Sequence, residues 1–386
     1  MKKVDVLVVG GGPAGSATAI GLARSGHSVL LADKATFPRD KPCGGGVTMR
    51  AAHACPVDIR PVVEDEVDTL ELRFKFGTPA PQAMRGPVIW MTQRTRLDAF
   101  LLDSAREAGA EVRQGAAVGF GDTMSVDGEP ISAYVVVGAD GANGPSARAL
   151  GLGGTIRHAV AYEGNVALDP AEMRRFRRTA FVELGTVPGG YGWIFPKAEH
   201  VNVGVGCWPE TANQLKSLLA TVCEGYGLDP GLLADLRGWR LPLRTSKTAV
   251  AGDRALLVGD AAGLVDPLTG DGMYECFVSG RAAARTITDL LAGRQSSLAP
   301  YAAALERELA LFHASSWSIK SALDRWPRVT WPFARSRLVW RSVEHLLLGE
   351  LSHPGEERGV SRLPMSTLTR LGRLSERQLA SGSRAG

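Results

Sequence analysis

The feature that most constrains this chain is a glycine turn near its start. Val4-Asp5-Val6-Leu7-Val8-Val9 runs directly into Gly10-x-Gly12-x-x-Gly15, with Pro13 and Ala14 between the last two glycines. A β-branched, aliphatic run of this kind reads as a strand buried on both faces. The Ala-rich stretch 16–25 reads as the helix that follows. The three glycines serve different ends, namely a tight turn, close backbone approach to a pyrophosphate, and close packing of helix on strand. The helix start offers unpaired N–H groups and a positive dipole end for phosphate. A second strand over 28–32 ends in Asp33, followed by Lys34, where an acid can take ribose hydroxyls. Strand, turn, helix, strand and acid in register predict a dinucleotide site.

Composition narrows the setting. The 386 residues suffice for two or three domains or one interleaved fold, and a formal charge of +4 gives no argument for nucleic acid. No apolar run approaches the roughly twenty residues of a membrane span. The two lysines at the start precede a strand with Asp5, not a secretory apolar segment. The five cysteines, at 43, 55, 207, 223 and 276, are odd in number and lack Cys-x-x-Cys spacing, and the seven histidines are scattered. Thiols in a reducing cytoplasm are expected, with no disulfide framework and no metal site.

Further along, residues 34–50 carry two prolines and three successive glycines around Cys43, and read as a loop. Its backbone can approach a flat ligand closely. Cys43 is either a small packed hydrophobe or a thiol facing a cofactor ring. Residues 67–76 alternate as a half-exposed strand, and 87–93 read as another. A helix is expected over 94–109, and Val135-Val136-Val137-Gly138 leads into a glycine turn with Asp140. Between 160 and 247 the pattern changes to strands at 179–184, 191–195, 201–207 and 239–245, with a helix near 211–226. The buried-strand pattern returns at 254–258, passes Gly259-Asp260 and leads to a helix over 273–291. No second glycine motif follows a strand, so a separate NAD(P) domain is not expected. Residues 298–350 read as helical and 375–386 as frayed. The segment 320–386 carries twelve Lys/Arg against six Asp/Glu, a net +6.

Gly10–Asp33, Gly138–Ser146 and Gly259–Gly272 together resemble the FAD-binding signatures of the p-hydroxybenzoate hydroxylase-like superfamily. Two further motifs resemble the geranylgeranyl reductase family: Pro38-x-x-x-x-Cys43-Gly44-Gly45, and Tyr191-x-Trp193-x-Phe195-Pro196 followed by Gly204-x-Gly206. The resemblance covers roughly residues 4–290. It implies an α/β fold, with a discontinuous Rossmann-like FAD-binding domain (1–66, 94–159 and 248–291). An antiparallel β-sheet substrate domain (67–93 and 160–247) and a C-terminal helical region (292–386) complete it. By the same resemblance Gly10, Gly12 and Gly15 hold the FAD pyrophosphate and Asp33 the adenosine ribose, where the family more often has Glu. Arg94 stands where the family places a basic residue near FAD, and Asp260 would bond the ribityl chain or pyrophosphate. Asp140 belongs to the same set. Pro267, Gly270, Gly272 and Met273 would lie beside the isoalloxazine, with Asp271 where the family has Glu. Cys43, with Gly44 and Gly45, would face flavin and substrate as the catalytic thiol. Tyr191, Trp193, Phe195 and Pro196 would line an apolar substrate cavity.

The implied activity is reduction of C=C bonds in a prenyl chain on a lipid, quinone or similar substrate, with FAD held non-covalently and NAD(P)H a candidate external donor. An isolated alkene needs a close hydride donor and a proton for its other carbon, which a thiol in a dry pocket can supply. The alternative is an FAD-dependent monooxygenase or tailoring enzyme on a hydrophobic or aromatic substrate, since the same FAD signatures serve both. Trp326, Trp331 and Trp340, interleaved with Arg325, Arg328, Arg335, Arg337 and Arg341, suggest peripheral contact with an anionic membrane. Packing of these tryptophans on the body, with the arginines solvated, is the competing reading.

Overall fold

The computed structural model describes residues 1–244 and 248–382. Its first sheet is built on the N-terminal strand Lys2–Val9, whose Val6, Leu7 and Val8 are fully buried. Val29–Asp33 and then Glu111–Gln114 extend it in parallel on one side; Glu129–Gly138 and then Ala255–Leu257 do so on the other. Short antiparallel strands at Met124–Val126 and Val118–Phe120 complete the seven. Helices Pro13–Arg24 and Met273–Leu291 pack on this sheet and on each other, and glycine lets them approach. A Cβ on Gly21 would come within 2.8 Å of Ala284 Cβ, and one on Gly280 within 3.0 Å of Ala17 Cβ.

The second sheet has the order Ala234–Arg244, Ile156–Ala167, His200–Cys207, Tyr191–Pro196, Thr179–Leu184, Thr69–Phe74, Ala80–Ala83. All its pairings are antiparallel except Thr179–Leu184 with Thr69–Phe74, which is parallel. Period-two alternation gives the sheet two distinct faces. Val201, Val203 and Val205 pack outward against Leu219 and Val222 of helix Leu215–Gly225. Gly204 and Gly206 lie on the opposite side, where Gly204 is the bed for the Trp193 ring. A third, three-stranded sheet joins Gly46–Thr48, Ile89–Met91 and Asp65–Val67.

Helices Pro300–Arg325, Pro327–Ala334, Arg337–Leu348 and Arg362–Gly382 close the far end. Several expectations change. The loop over 34–50 ends early, because Gly46–Thr48 joins the small sheet and helix Met49–Ala54 follows, capped by the Thr48 hydroxyl on the Ala51 N–H. Helix, not fray, runs through Gly382; residues 383–386 lie outside the described residues, as does Thr245 of the expected 239–245 strand. Strand Ile156–Ala167 is an addition to the four expected between 160 and 247, and it begins before them.

Candidate functional site

One cavity of about 1160 Å³ runs from the glycine turn, between the two large sheets, to the C-terminal helices. Most residues singled out from the sequence line it: Gly12, Pro13, Ala14, Asp33, Lys34, Cys43, Gly44, Gly45, Arg94, Asp140, Tyr191, Trp193, Phe195, Asp260, Pro267, Gly270, Gly272 and Met273. Gly10, Gly15 and Pro196 are not on its wall. Pro196 is buried at the end of its strand.

At the glycine turn the backbone forms a cradle. Gly10 holds φ at +109°, and a Cβ there would run into the Ala139 carbonyl. Gly15 lies against the Gly10 carbonyl with no room for a Cβ. Gly12 is different. A Cβ at Gly12 would meet the protein only at Arg39 Nη2, 3.6 Å away, on the cavity wall. Gly12 is also the N-cap of helix Pro13–Arg24 and makes no side-chain cap bond, so the first N–H groups remain for an anion. Asp33 Oδ2 accepts from the Gly11 N–H at 2.7 Å and thereby ties the second strand to the turn. A cradle that only a missing Cβ keeps open, with an acid beside it, fits the pyrophosphate and ribose of FAD.

Charged groups flank that cradle. Lys41 Nζ pairs with Asp260 at 2.9 Å; burial opposes ionisation of Asp260, but Lys41 prevails and holds its carboxyl below the usual range. Arg94 is 6% exposed and forks onto Asp98, with both bonds at 2.7 Å. Burial alone would lower the guanidinium pKa; the Asp98 charge and hydrogen bonds raise it instead. Asp140 accepts from the Ser146 N–H at 2.9 Å and from its hydroxyl, so it also caps the turn Ser146–Ala149. Asp271 Oδ1 accepts from the Met273 N–H, and burial pushes this carboxyl up to about 7.

Cys43 lies on the cavity wall, in the loop that faces the aromatic strand. Its Sγ accepts from the Gly45 N–H at 3.4 Å, and burial pushes the thiol pKa up against the opposing charge of Arg94. Gly44 lies on the aromatic strand: a Cβ there would fall 2.7 Å from the Phe195 ring and 3.3 Å from Trp193 Nε1. Tyr191, Trp193 and Phe195 share one face because they are spaced by two, with neighbouring centroids 5.9 and 6.3 Å apart. Tyr191 donates its hydroxyl to the Thr269 carbonyl, and Trp193 Nε1 donates to Asn202 Oδ1 at 2.8 Å. These bonds satisfy the polar atoms of both rings, and all three side chains line the cavity.

Two sets of cavity residues were not found from the sequence. Glu163 projects from Ile156–Ala167 beside Ala159 and Ala161, and Lys197 follows the aromatic strand. The signal for Glu163 was a single acid alternating with small residues, Ala159-x-Ala161-x-Glu163, and that for Lys197 a lone cation after Pro196. The second set is the far wall: Leu323, Trp331, Val339, Trp340 and Leu368. Trp331 stacks on Phe74 at 5.5 Å, Trp340 joins the cluster of Val67, Ile89 and Phe195, and Trp317 stacks on Trp208 at 6.1 Å.

Residues 3–301 match the family model described as FAD binding domain. The menaquinone reductase of Mycolicibacterium smegmatis is 30% identical, aligned over 94% of this chain and 95% of its own. The chloroplastic geranylgeranyl diphosphate reductase of Oryza sativa subsp. japonica is also 30% identical, over 84% of this chain and 74% of its own. A solved structure of a geranylgeranyl bacteriochlorophyll reductase-like protein from Thermoplasma acidophilum superposes with a TM-score of 0.77, at 24% identity, covering 95% of this chain and all of the other. The similarity therefore continues through the C-terminal helices, beyond the residue 290 at which the sequence motifs stop.

Proposed function

We propose that this chain, which belongs to the FAD binding domain family and within it to the geranylgeranyl and menaquinone reductases, saturates C=C bonds of a polyprenyl chain. It is an FAD-dependent oxidoreductase. The observation that carries the substrate reading is the close approach of Gly44, beside Cys43, to Trp193 and Phe195 on the wall of a mainly apolar cavity. The full-length likeness to a menaquinone reductase favours a prenylated quinone as the first probe.

In this reading residues 1–66, 94–159 and 248–291 hold FAD, and 67–93 with 160–247 hold the substrate. The C-terminal helical region, 292–386 in this division, shuts the cavity through its helices between Pro300 and Gly382. Gly10, Gly12 and Gly15 form the pyrophosphate cradle, with Asp33 and Lys34 at the ribose and Asp140, Asp260 and Arg94 along the cofactor. Pro267, Gly270, Gly272 and Met273 border its ring. When bound and reduced, FAD supplies the hydride. The chain supplies alignment, dryness and a proton. Tyr191, Trp193 and Phe195 fix the prenyl chain on their ring faces, and Cys43 Sγ–H gives its proton to the second alkene carbon. NAD(P)H is the external donor in this scheme, and the exposed arginines of the C-terminal helices bring the enzyme to the lipid phase.

The test is anaerobic incubation of the FAD-loaded protein with dithionite and a menaquinone. After the quinol that dithionite forms is reoxidised in air, a remaining mass gain of two hydrogens per bond supports reduction of the prenyl chain; oxygen insertion under air, with no such gain, would establish the monooxygenase alternative. Cys43→Ser keeps the side chain's size, yet a hydroxyl is a far weaker acid than a thiol near pKa ~8.5. That variant should retain its flavin spectrum and lose most turnover, and unchanged turnover would return Cys43 to a packing role.

A further inference from the structure

Behind Cys43 lies a second, smaller cavity of about 40 Å³. It exceeds the ~10–15 Å³ that a single water needs, and its walls are polar. Thr92, Gln93, Asn165, Lys197, His200 and Asn202 line it. Cys43, Arg94 and Glu163 belong to the walls of both this cavity and the large one. They form the partition between a polar pocket and an apolar one.

Two buried ionisable side chains grip the Cys43 loop from that side. Glu163, 8% exposed, accepts the Cys43 N–H on Oε1 at 2.6 Å. Lys197, 2% exposed, donates from Nζ to the Gly44 carbonyl at 2.6 Å, and Met91 Sδ lies 3.7 Å from the same nitrogen. A lysine ammonium has three protons, so one remains beyond these two contacts. A role confined to holding the loop would be served by any neutral donor, without the cost of burying a cation.

We propose that the small polar cavity is the proton inlet of the reaction, and that Lys197 and Glu163 return to Cys43, through water between them, the proton each reduction consumes. This rests on Cys43 being the proton donor. In the balanced step the Sγ–H bond breaks as a C–H bond forms on the alkene, leaving a thiolate. An Nζ–H proton of Lys197, relayed by water, then rebuilds the thiol and leaves a neutral amine. The amine recovers a proton from the Glu163 carboxyl through the same water, and the carboxylate takes its proton back from bulk solvent by way of the pocket that His200, Asp235 and Arg237 also line. No electrons move in this half of the cycle.

The electrostatics suit that traffic. Burial pulls Lys197 down to about 8, against the opposing pull of Cys43, Glu64, Glu163 and Asp65. Burial pushes Glu163 up to about 7, resisted by the Cys43 N–H, Lys197 and Arg94 and reinforced by Asp40. Both groups therefore exchange protons near neutral pH.

The first arm of the test needs no substrate. In FAD-loaded protein, alkylation of Cys43 by iodoacetamide is followed across pH by mass spectrometry of its peptide. Lys197→Met should slow alkylation about tenfold at neutral pH, where the thiolate loses a neighbouring cation, and should converge with the native protein above pH 8, where Lys197 is itself neutral. Glu163→Gln should speed it at neutral pH. The second arm measures turnover of Lys197→Ala with the menaquinone probe. Activity should fall at least about tenfold and be restored, saturably, by added methylammonium, which fits where the side chain stood. Flavin content and melting temperature screen for misfolding, and Glu163→Gln carries the first arm if neither lysine variant folds. Alkylation rates at neutral pH that neither variant changes, or a loss that methylammonium does not restore, would overturn the inlet. An inert Cys43→Ser beside a fully active Lys197→Ala would remove the relay and keep the thiol. A fully active Cys43→Ser would remove both.

Discussion

Gly12 and Gly15 lie three residues apart and have opposite surroundings. A side chain at Gly15 would strike the turn's own backbone, whereas one at Gly12 would enter the cavity. Gly12→Val should therefore give protein that folds, melts within a few degrees of the native form and is colourless; a yellow, flavin-loaded variant would contradict the cradle. Glu163 gives the residue-scale pH dependence. Its folded pKa, about 7, lies above the ordinary value of 4.5, so its neutral form is the one the fold accepts. That contribution is complete below pH 4.5 and is lost as pH rises through 7, up to about 3 kcal/mol. Glu163→Gln stays neutral throughout, so its stability in urea should decline less between pH 4.5 and 7.5 than the native protein's. Parallel slopes would mean that Glu163 is already ionised across that range. The glycines could be read from sequence because each breaks a regular pattern at a motif spacing. Glu163 could not, because its meaning comes from Cys43, 120 residues away.

Among elements, those with strong periodicity and clear ends were legible. Helix Met273–Leu291 and strand Thr179–Leu184 have the expected bounds. Ile156–Ala167 was harder to see because its cavity face is Ala159, Ala161 and Glu163, which lacks the apolar alternation of a core strand. The parallel pairing of Thr69–Phe74 with Thr179–Leu184 joins strands more than a hundred residues apart, and no local pattern encodes it. The C-terminal tryptophans admitted two readings, membrane contact among the arginines or packing on the body, and Trp331 and Trp340 are half-buried in the cavity wall. Trp331, stacked on Phe74, is part of the cavity wall. Trp331→Ala should cost about 2 kcal/mol, below the ~3–5 of a fully buried aromatic, and should extend the cavity. The expected product pattern shifts toward longer or bulkier prenyl chains, measured by competing menaquinones of different chain length. An unchanged pattern would place the chain elsewhere.

For the whole molecule, inward-facing tryptophans do not exhaust the C-terminal surface. Val329, Leu338, Leu363 and Leu374 are 40 to 68% exposed, among exposed arginines 325, 328, 335, 337, 341, 362, 370 and 373. Among the described residues no helix is long and apolar enough to cross a membrane. Peripheral docking predicts co-sedimentation with anionic liposomes at low salt and release at high salt, since each basic residue near such a surface contributes about 1 kcal/mol. Recovery in the supernatant under every condition would leave those arginines solvated. The interleaved order of the first sheet also has a consequence in time. Its glycine turn is made early, and strand Ala255–Leu257 and helix Met273–Leu291, which complete its surroundings, follow some 240 residues later. At about 5–20 residues per second, that is a delay of roughly 10–50 s. Throughout it the Ala-rich first helix has no partner for the face that Ala283 and Ala284 will cover. The nucleotide site is thus the earliest part begun and among the last finished, which makes cofactor loading a late event and leaves the nascent chain dependent on shielding until then.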